Sequence, residues 1–248
     1  MKSLLLKPFL QKAVIEGRKT QTRRLINPQP HENVNKWPEL SVKEFLERMS
    51  KYWMIYNGPG VHPDHGTLIP NPKYQVGDIC YLREGFRLPE NLDHFKPSQI
   101  EVCPVEFKSG GTINCIGDSI TKTQKKTQEI GVGKWRSPYH LPAHLARYFV
   151  KITNVKVERL LDISKEDAFA EGICKYGPFG EYAGSLHPNG NGTRYRAYGS
   201  PEGAFVCIWR SIYGQDGWKA NPWVFAYTFQ LCTRDGKIIE NEALPPKP

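Results

Sequence analysis

Three long stretches rich in proline, glycine and polar residues separate the short periodic segments of this chain. They cover residues 27–74, 87–133 and 174–202. Such compositions favour turns and loops over regular elements, so the segments between them must supply the core. We therefore predict a single domain over residues 1–232 with these three insertions, followed by a C-terminal tail over residues 233–248. A chain of 248 residues is long enough to bury a sizeable core in this arrangement.

The segments between the insertions carry both β and α periodicity. The longest β pattern runs from Arg147 to Leu160, where β-branched residues alternate with charged ones. Several helical patterns end at a glycine, as at Gly17, Gly172 and Gly214. The mixture predicts the α+β class, with a small mixed β-sheet or barrel and peripheral short helices. The predicted strands are 21–26, 79–84, 101–107, 112–116, 147–160 and 222–231, and the predicted helices are 8–16, 41–52, 164–172 and 204–213.

The charge balance of the chain is strongly basic. The formal net charge is +9 and the sequence pI is about 9.2. The first 24 residues hold seven Lys or Arg against one Glu, which is about two-thirds of the excess charge. This balance favours a polyanionic partner such as RNA, DNA or a nucleotide, although basic proteins without such a partner are common.

Cysteine spacing and hydropathy indicate the cellular compartment. The six cysteines form no C-x-x-C pair, which fits reduced thiols better than a disulfide framework or a zinc site. The run Leu4-Leu5-Leu6 is cut short by Lys7 and Pro8, so it is too brief for a signal peptide. No apolar stretch approaches the roughly 20 residues of a membrane helix. We expect a cytoplasmic protein that does not enter a membrane; the sequence does not fix its oligomeric state.

The most informative basic segment is Gly17–Arg24, which places four cations and two hydroxyls in eight residues. It joins a predicted helix to a predicted strand. Strand alternation puts Gln21 and Arg23 on one face and Thr22 and Arg24 on the other. Held at a tight junction, these groups would suit an anion or a nucleobase. The alternative is a solvated basic turn, which is the more frequent outcome for charge runs.

Other patterns extend the predicted site. Lys134-Trp135-Arg136, followed by Tyr139 and His140, interleaves cations with rings, which suits base stacking and phosphate contact; the alternative is a tryptophan packed beneath the barrel. Arg83 and Glu84 end a strand and are expected to line the same cleft, where Arg83 would pair with Glu84 or a phosphate; the alternative is an ion pair that closes the barrel.

The remaining candidates concern a cleft wall and a metal. Asn221-Pro222-Trp223 is a candidate cleft wall. The pairs His62/His65 and His140/His144 have metal-ligand spacing. Pro63 breaks the first pair as a helix, and neither pair has a convincing Cys or carboxylate to complete it, so we predict no metal and no cofactor.

In their order along the chain, five motifs resemble the ASCH-domain family, a branch of the PUA-like β-barrel superfamily, in a longer form seen in phage and prophage proteins. They reach from one end of the chain to the other. The motifs are Gly17–Arg24 (G-R-K-T-Q-T-R-R), Val76–Glu84 (V-G-D-x-x-x-x-R-E), Lys134–Arg136 with His140 and Pro142, Val155–Gly172 and Phe205–Val224.

The resemblance implies a PUA-like small mixed β-barrel with long loop insertions and a cleft that holds RNA or a modified base. Some small ASCH proteins resemble or are amidohydrolases that remove the acyl group from N4-acetylcytidine. Their Lys and Thr in a K-T-x-T motif and their helical Glu fall on Lys19, Thr22 and Glu171. The residues expected to contact the substrate are Arg18, Thr20, Arg23, Arg24, Arg83, Glu84, Lys134, Trp135, Arg136, His140 and Asn221.

The expected chemistry uses an amine, an alcohol and a carboxyl. Neighbouring arginines should lower the pKa of Lys19, so that its amine could act as a base towards Thr22. A protonated Lys19 would instead stabilise an oxyanion or hold a phosphate, and Glu171 would serve as general acid. The structural alternative is a Lys19–Glu171 ion pair that pins the helix to the strand.

We thus expect binding of a modified or single-stranded nucleotide, with hydrolysis of an N4-acyl amide on cytidine as the activity to test. A non-catalytic RNA- or DNA-binding module and, with less support, a nuclease are the alternatives.

Overall fold

The computed structural model describes residues 1–30, 52–55, 67–100, 103–108, 110, 112–116, 119–121, 131–176, 181–183 and 198–239. These residues form a mixed α+β structure, as predicted. The strands are β1 (Lys2–Leu4), β2 (Gln21–Leu25), β3 (Tyr52–Ile55), β4 (Thr67–Pro70), β5 (Ile79–Leu82), β6 (Phe86–Arg87), β7 (Cys103–Phe107), β8 (Thr112–Ile116), β9 (Ser119–Thr121), β10 (Phe149–Arg159), β11 (Cys174–Tyr176), β12 (Glu181–Ala183) and β13 (Trp223–Cys232). The α-helices are α1 (Pro8–Ile15), α2 (Lys165–Ala170) and α3 (Pro201–Lys219).

The central element is a five-stranded sheet in the order β1-β5-β10-β13-β2. Only the β1–β5 pair is parallel; the other neighbours are antiparallel. Strands β10 and β13 are the longest and pair along almost their whole length. Among the described residues, β1 and β2 are the two edges of this sheet and do not pair with each other. The predicted barrel is therefore not closed within the described part of the chain, because no ladder there joins these edges.

Local sequence signals account for the helices. Pro8 occupies the first turn of α1, and Gly17, with φ 73°, takes the left-handed conformation that ends the helical segment. The Ser164 hydroxyl accepts a hydrogen bond from the Asp167 amide at 3.0 Å and caps α2. Both helices were predicted, and both are confirmed.

Helix α3 is longer at both ends than the sequence predicts. We expected it to end at Gly214, and that boundary was wrong. Gly214 has φ 76° and ψ 177°, so it does interrupt the helical backbone, but a second helical stretch follows to Lys219. The Trp209 indole N–H donates to the Gly217 carbonyl at 3.1 Å across this kink, which links the two stretches.

The predicted insertions carry small antiparallel sheets of their own. Strands β3 and β4 lie in the first, β7, β8 and β9 in the second together with β6 at its start, and β11 and β12 in the third. The predicted helix 41–52 lies outside the described residues except for Tyr52, which belongs to β3. His62 and His65 also lie outside the described residues.

Two apolar clusters form the core. The larger one packs the three helices onto one part of the main sheet, and it includes Val14, Ala168, Phe205 and Phe229. The second joins the β6–β7 region to the main sheet through Tyr81 and Phe149 among others. The second insertion is thus packed onto the main sheet rather than held apart from it.

The first part of the predicted tail is hydrogen-bonded to the core. The Ile239 amide donates to the Leu231 carbonyl at 2.9 Å, and the Thr233 amide donates to the Lys237 carbonyl at 2.8 Å. Residues 233–239 therefore turn back along β13. Within the described ranges, no helix is both long and apolar enough to span a bilayer.

Candidate functional site

Strand β2 separates two environments, because its side chains alternate between the faces of the sheet. Arg23 lies opposite Ala226 of β13, and Arg24 lies opposite Phe225. Arg23 contacts carboxylates beside α2, whereas Arg24 lines a pocket together with Phe225. Two arginines that are adjacent in the sequence therefore lie in different surroundings.

The face of Arg23 holds a buried ion-pair cluster that begins with Lys19 and Glu171. The Lys19 Nζ lies 2.5 Å from the Glu171 Oε2 and donates to the Glu171 backbone carbonyl at 3.0 Å. The side chains of Lys19 and Glu171 are 0% and 4% exposed. Lys19 and Glu171 also pair through their backbones as an isolated antiparallel bridge. The structure thus brings together two of the three residues that were predicted as catalytic.

Arg23 is the centre of this ion-pair cluster. Its Nε donates to the Glu158 Oε1 at 2.8 Å, its Nη2 to the Asp167 Oδ2 at 2.8 Å and its Nη1 to the Glu171 Oε1 at 3.2 Å. It therefore ties β2 to β10 and to helix α2. Lys156 Nζ lies 2.8 Å from the Glu158 Oε2. The cluster then contains three cations (Lys19, Arg23, Lys156) and three carboxylates (Glu158, Asp167, Glu171), so its formal charge is balanced.

The pKa of Lys19 is lowered from its ordinary value, chiefly because burial removes its ammonium group from water. Glu171 opposes part of this effect, while Arg24 and Arg23 add to the lowering. The predicted direction is correct, but the main cause is burial rather than the neighbouring arginines. A buried amine that is bonded to a carboxylate has no exposed position from which to meet a substrate.

Thr22, the third predicted catalytic residue, belongs to the other face of β2. It is 4% exposed and lies opposite Tyr227 in the ladder with β13. Its strand neighbours Gln21 and Arg23 point the other way. The contacts of Lys19 and Glu171 match the structural alternative of an ion pair that holds α2 against β2.

A pocket of about 570 Å³ lies on the face of Thr22 and Arg24. Exposed residues such as Asn27, Lys73 and Tyr139 are part of its wall, so it opens to solvent. Cations and aromatic rings dominate its lining, and no carboxylate is among the lining residues that the structure describes. The lining consists of Ser3, Leu5, Arg24, Leu25, Asn27, Pro70, Asn71, Lys73, Tyr74, Arg83, Tyr139, Tyr213, Phe225 and Tyr227.

The three cations of this pocket have few partners within the described ranges. Arg24 Nη2 donates to the Leu5 carbonyl at 2.5 Å. Arg83 lies with its guanidinium carbon 5.9 Å from the centroids of both Tyr81 and Tyr139, and its Nε is buried without a hydrogen-bond partner. Lys73 Nζ lies 5.2 Å from the Tyr74 ring centroid. None of the three forms an ion pair with a carboxylate of the described residues.

Two buried tyrosines form the inner wall. The Tyr74 hydroxyl donates to the Ser3 carbonyl at 2.7 Å, and the rings of Tyr74 and Tyr227 meet edge to face with centroids 5.1 Å apart. Burial raises the pKa of each of these tyrosines to about 12. Both hydroxyls are therefore protonated at neutral pH and add no negative charge to the pocket.

Several predicted contact residues have partners away from the pocket. Arg18 pairs with Glu16, with Nε to Oε2 at 2.9 Å. Thr20 joins the backbone network, where its amide donates to the Ala170 carbonyl at 2.8 Å. Glu84 is buried and accepts two hydrogen bonds of 2.9 Å from Arg147, so it does not pair with Arg83.

Asn221 has a structural role in the corner before β13. It has φ 42°, and its Oδ1 accepts a hydrogen bond from the Leu161 amide at 2.8 Å. It does not line the pocket. This contact ties the start of β13 to the end of β10.

The predicted segment from Lys134 to His140 lies at the surface. Trp135 is 44% exposed, which excludes the alternative of a tryptophan buried beneath the sheet. Arg136 is half-buried and donates to the Asp93 carbonyl at 2.9 Å, whereas Lys134 and His140 are exposed. His144 contacts the Ile100 carbonyl at 2.7 Å through Nε2. Within the described ranges, no group of three or more His, Cys, Asp or Glu residues could hold a metal ion.

Sequence reasoning missed Lys73, Tyr74 and Tyr227 as members of the site. Tyr227 belongs to an apolar strand, whose side chains are expected in the hydrophobic core, and Tyr74 is the last residue of the first predicted insertion. The signal that the sequence offered is the alternation of β13, which puts Phe225 and Tyr227 on the same face of that strand. In the structure, Phe225 lies opposite Arg24.

Comparison of the chain with protein-family models, with curated proteins and with solved structures finds no match. We therefore infer the function from the geometry of the molecule.

Proposed function

We propose that this protein binds a single-stranded or modified nucleotide in the pocket lined by Arg24, Lys73 and Arg83. The observation that carries the proposal is the combination of three cations with aromatic rings and no carboxylate among the described lining residues. Arginine and lysine are suited to phosphate oxygens, and aromatic faces are suited to nucleobases. A cavity of about 570 Å³ lies within the range of small-molecule sites.

The electrostatics of the pocket support an anionic ligand over a neutral one. Arg24, Lys73 and Arg83 make no ion pair with a described carboxylate, and a phosphate would supply a counter-charge that the described lining residues do not. The neutral hydroxyls of Tyr74 and Tyr227 leave this attraction undiminished at neutral pH.

We further propose that the chain is a long ASCH-type member of the PUA-like superfamily. The order of the five sequence motifs supports this assignment, and a mostly antiparallel sheet with few helices agrees with it in general terms. The open edge between β1 and β2 departs from the closed barrel that the resemblance implies.

Titration calorimetry with cytidine 5′-monophosphate (CMP) tests the binding proposal. Arg83→Gln should weaken CMP binding about 10- to 150-fold, because a hydrogen bond to a charged group contributes roughly 1.5–3 kcal/mol. Arg18→Gln is the matched control, since Arg18 belongs to the same basic protein surface but pairs with Glu16 outside the pocket. Equal losses in both variants, or no CMP binding by the wild-type protein, would contradict the proposal.

Hydrolysis of an N4-acyl amide on cytidine is the second candidate. The contact between Glu171 and the amine of Lys19, whose pKa is lowered, is the observation that favours it. Their burial, and their position across the sheet from the pocket, favour binding alone. Incubation with N4-acetylcytidine separates the two candidates. Release of acetate by the wild-type protein, but not by Lys19→Ala or Glu171→Ala, would support hydrolysis. Binding of N4-acetylcytidine without release of acetate would support a protein that binds the nucleotide and does not hydrolyse it.

A further inference from the structure

Beside the pocket, two chain segments form an antiparallel ribbon. The Arg136 amide donates to the Phe86 carbonyl at 2.7 Å, and the Phe86 amide donates to the Arg136 carbonyl at 3.3 Å. Farther along, the Gly133 amide donates to the Leu88 carbonyl at 3.0 Å. Residues 86–90 therefore run against residues 131–136, and a 3-10 helix follows at Pro138–His140.

Two arginine–aromatic pairs lie on this ribbon and at its end. The Arg87 guanidinium carbon lies 4.7 Å from the ring centroid of Trp135. The Arg83 guanidinium carbon lies 5.9 Å from the ring centroid of Tyr139, which belongs to the 3-10 helix that follows the ribbon. Trp135 is 44% exposed and Tyr139 is 65% exposed, so both rings still offer surface to a ligand. Arg83 and Arg87 are four residues apart, an even spacing that favours the same face of an extended segment, and each of them contacts one of the two rings.

A lysine lies between the two pairs. Gly85 is midway between Arg83 and Arg87, and a Cβ built on it would lie 3.4 Å from the Lys108 Cβ and 3.6 Å from its Cδ. These are ordinary van der Waals distances, so the stem of Lys108 lies directly beside Gly85. Lys108 is exposed and makes no ion pair with a described residue. We call Tyr139, Arg83, Lys108, Arg87 and Trp135 the aromatic strip.

The aromatic strip continues from the pocket, because Tyr139 and Arg83 belong to both. Its two rings belong to residues four apart in the chain, so their Cα atoms are at most about 14 Å apart. We propose that the ligand is a single-stranded oligonucleotide rather than a mononucleotide. One nucleotide occupies the pocket, neighbouring bases stack on Tyr139 and Trp135, and the phosphate that joins them contacts Lys108. This inference rests on the proposed nucleotide binding and extends it to a polymer.

The charges around the aromatic strip favour a nucleic acid over a protein partner. Glu106 is engaged by Arg87 at 2.7 Å and Asp93 by Arg136 at 3.3 Å. Lys108 and Lys134 have no carboxylate partner among the described residues and are exposed. Alternating rings and free cations characterise surfaces that bind single strands without sequence preference.

Fluorescence anisotropy with labelled oligocytidylates of two, four and eight nucleotides, with CMP as competitor, tests the inference on the full chain. Affinity should rise from CMP to the tetramer and level off beyond a few nucleotides. Trp135→Ala should weaken octamer binding about 5- to 150-fold and leave CMP binding unchanged, since base stacking contributes roughly 1–3 kcal/mol. Trp135→Phe should retain most of the affinity. Leu161→Ala, at a site 48% exposed outside the strip, is the control.

The role of Lys108 has its own readout. Lys108→Gln should reduce the slope of log affinity against log salt by about 0.7 for the octamer, as expected for the loss of one phosphate contact to a single strand. CMP binding should be unaffected by this change.

The outcomes separate this inference from the proposed function. CMP binding with no increase in affinity for longer oligonucleotides would contradict binding by the aromatic strip and would still support binding in the pocket. Octamer binding that depends on Trp135 without measurable CMP binding would support the strip and contradict the pocket as an independent site. Octamer affinity that is unchanged in Trp135→Ala would overturn the aromatic strip as the binding surface.

Discussion

The two faces of β2 differ in how their positive charge is compensated. On one face, Arg23 and Lys19 are enclosed and matched by Glu158, Asp167 and Glu171. On the other, Arg24 joins two further cations with no described carboxylate beside them. Residues of the same type and adjacent in sequence thus form ion pairs within the fold on one side and line the pocket proposed to bind an anion on the other. The presence or absence of a described counter-charge, rather than the cation itself, distinguishes the two faces.

The largest expected effect is on the compensated face. Glu171→Gln removes the carboxylate that Lys19 and Arg23 share, and it should lower the free energy of unfolding by about 3–5 kcal/mol, because it leaves buried charge unpaired. Lys19→Met should cost less, since Glu171 keeps its contact with Arg23. Urea denaturation measures both variants. A smaller decrease in the free energy of unfolding for Glu171→Gln than for Lys19→Met would contradict the view that Glu171 compensates both Lys19 and Arg23.

A carboxylate introduced into the pocket should weaken binding without unfolding the protein. Asn27→Asp places a negative charge in the pocket wall, and CMP affinity should fall about 3- to 10-fold at low salt through repulsion. Asn154→Asp, on an exposed part of β10, is the matched control. Unchanged affinity in Asn27→Asp would mean that the phosphate does not enter this pocket.

The smallest expected effect concerns pH. Because burial raises the pKa of Tyr74 and Tyr227 to about 12, both stay neutral well above the pH at which an exposed tyrosine, near 10, would ionise. CMP affinity should therefore be constant between pH 7 and 9, where neither phenol ionises. Calorimetry at a series of pH values checks this expectation. A decline already near pH 8 would indicate that a phenolate forms in the pocket.

The same tyrosines link stability to pH. Their pKa is higher in the folded state than in the unfolded chain, so their contribution to stability is fully present below about pH 10 and is lost as the pH rises towards 12. Tyr74→Phe should make the decline of the melting temperature above pH 10 shallower than in the wild-type protein. Equal slopes would show that Tyr74 is not buried in this way.

Local features of the fold could be predicted from the sequence. Pro8, Gly17 and the Ser164 cap set helix ends through contacts within a few residues, and strand alternation put Arg23 and Arg24 on opposite faces. The end of α3 could not be predicted, because helical structure resumes after Gly214.

The site could be predicted only in part, since its contacts are distant in sequence. The meeting of Lys19 with Glu171 was suggested by a resemblance, not by periodicity. Glu84 pairs with Arg147 rather than with its neighbour Arg83, and Tyr74 meets Tyr227 from far along the chain. No local pattern reports such pairings, which depend on how β5, β10 and β13 are ordered in the sheet.

The central claim is that the two faces of β2 have different roles, and a paired measurement on Arg23→Gln and Arg24→Gln tests it most directly. Arg23→Gln should lower the free energy of unfolding by about 3–5 kcal/mol. Arg24→Gln should change it by about 1 kcal/mol or less while weakening CMP binding at least about tenfold. Equal loss of stability in both variants, with CMP affinity unchanged in Arg24→Gln, would contradict the account.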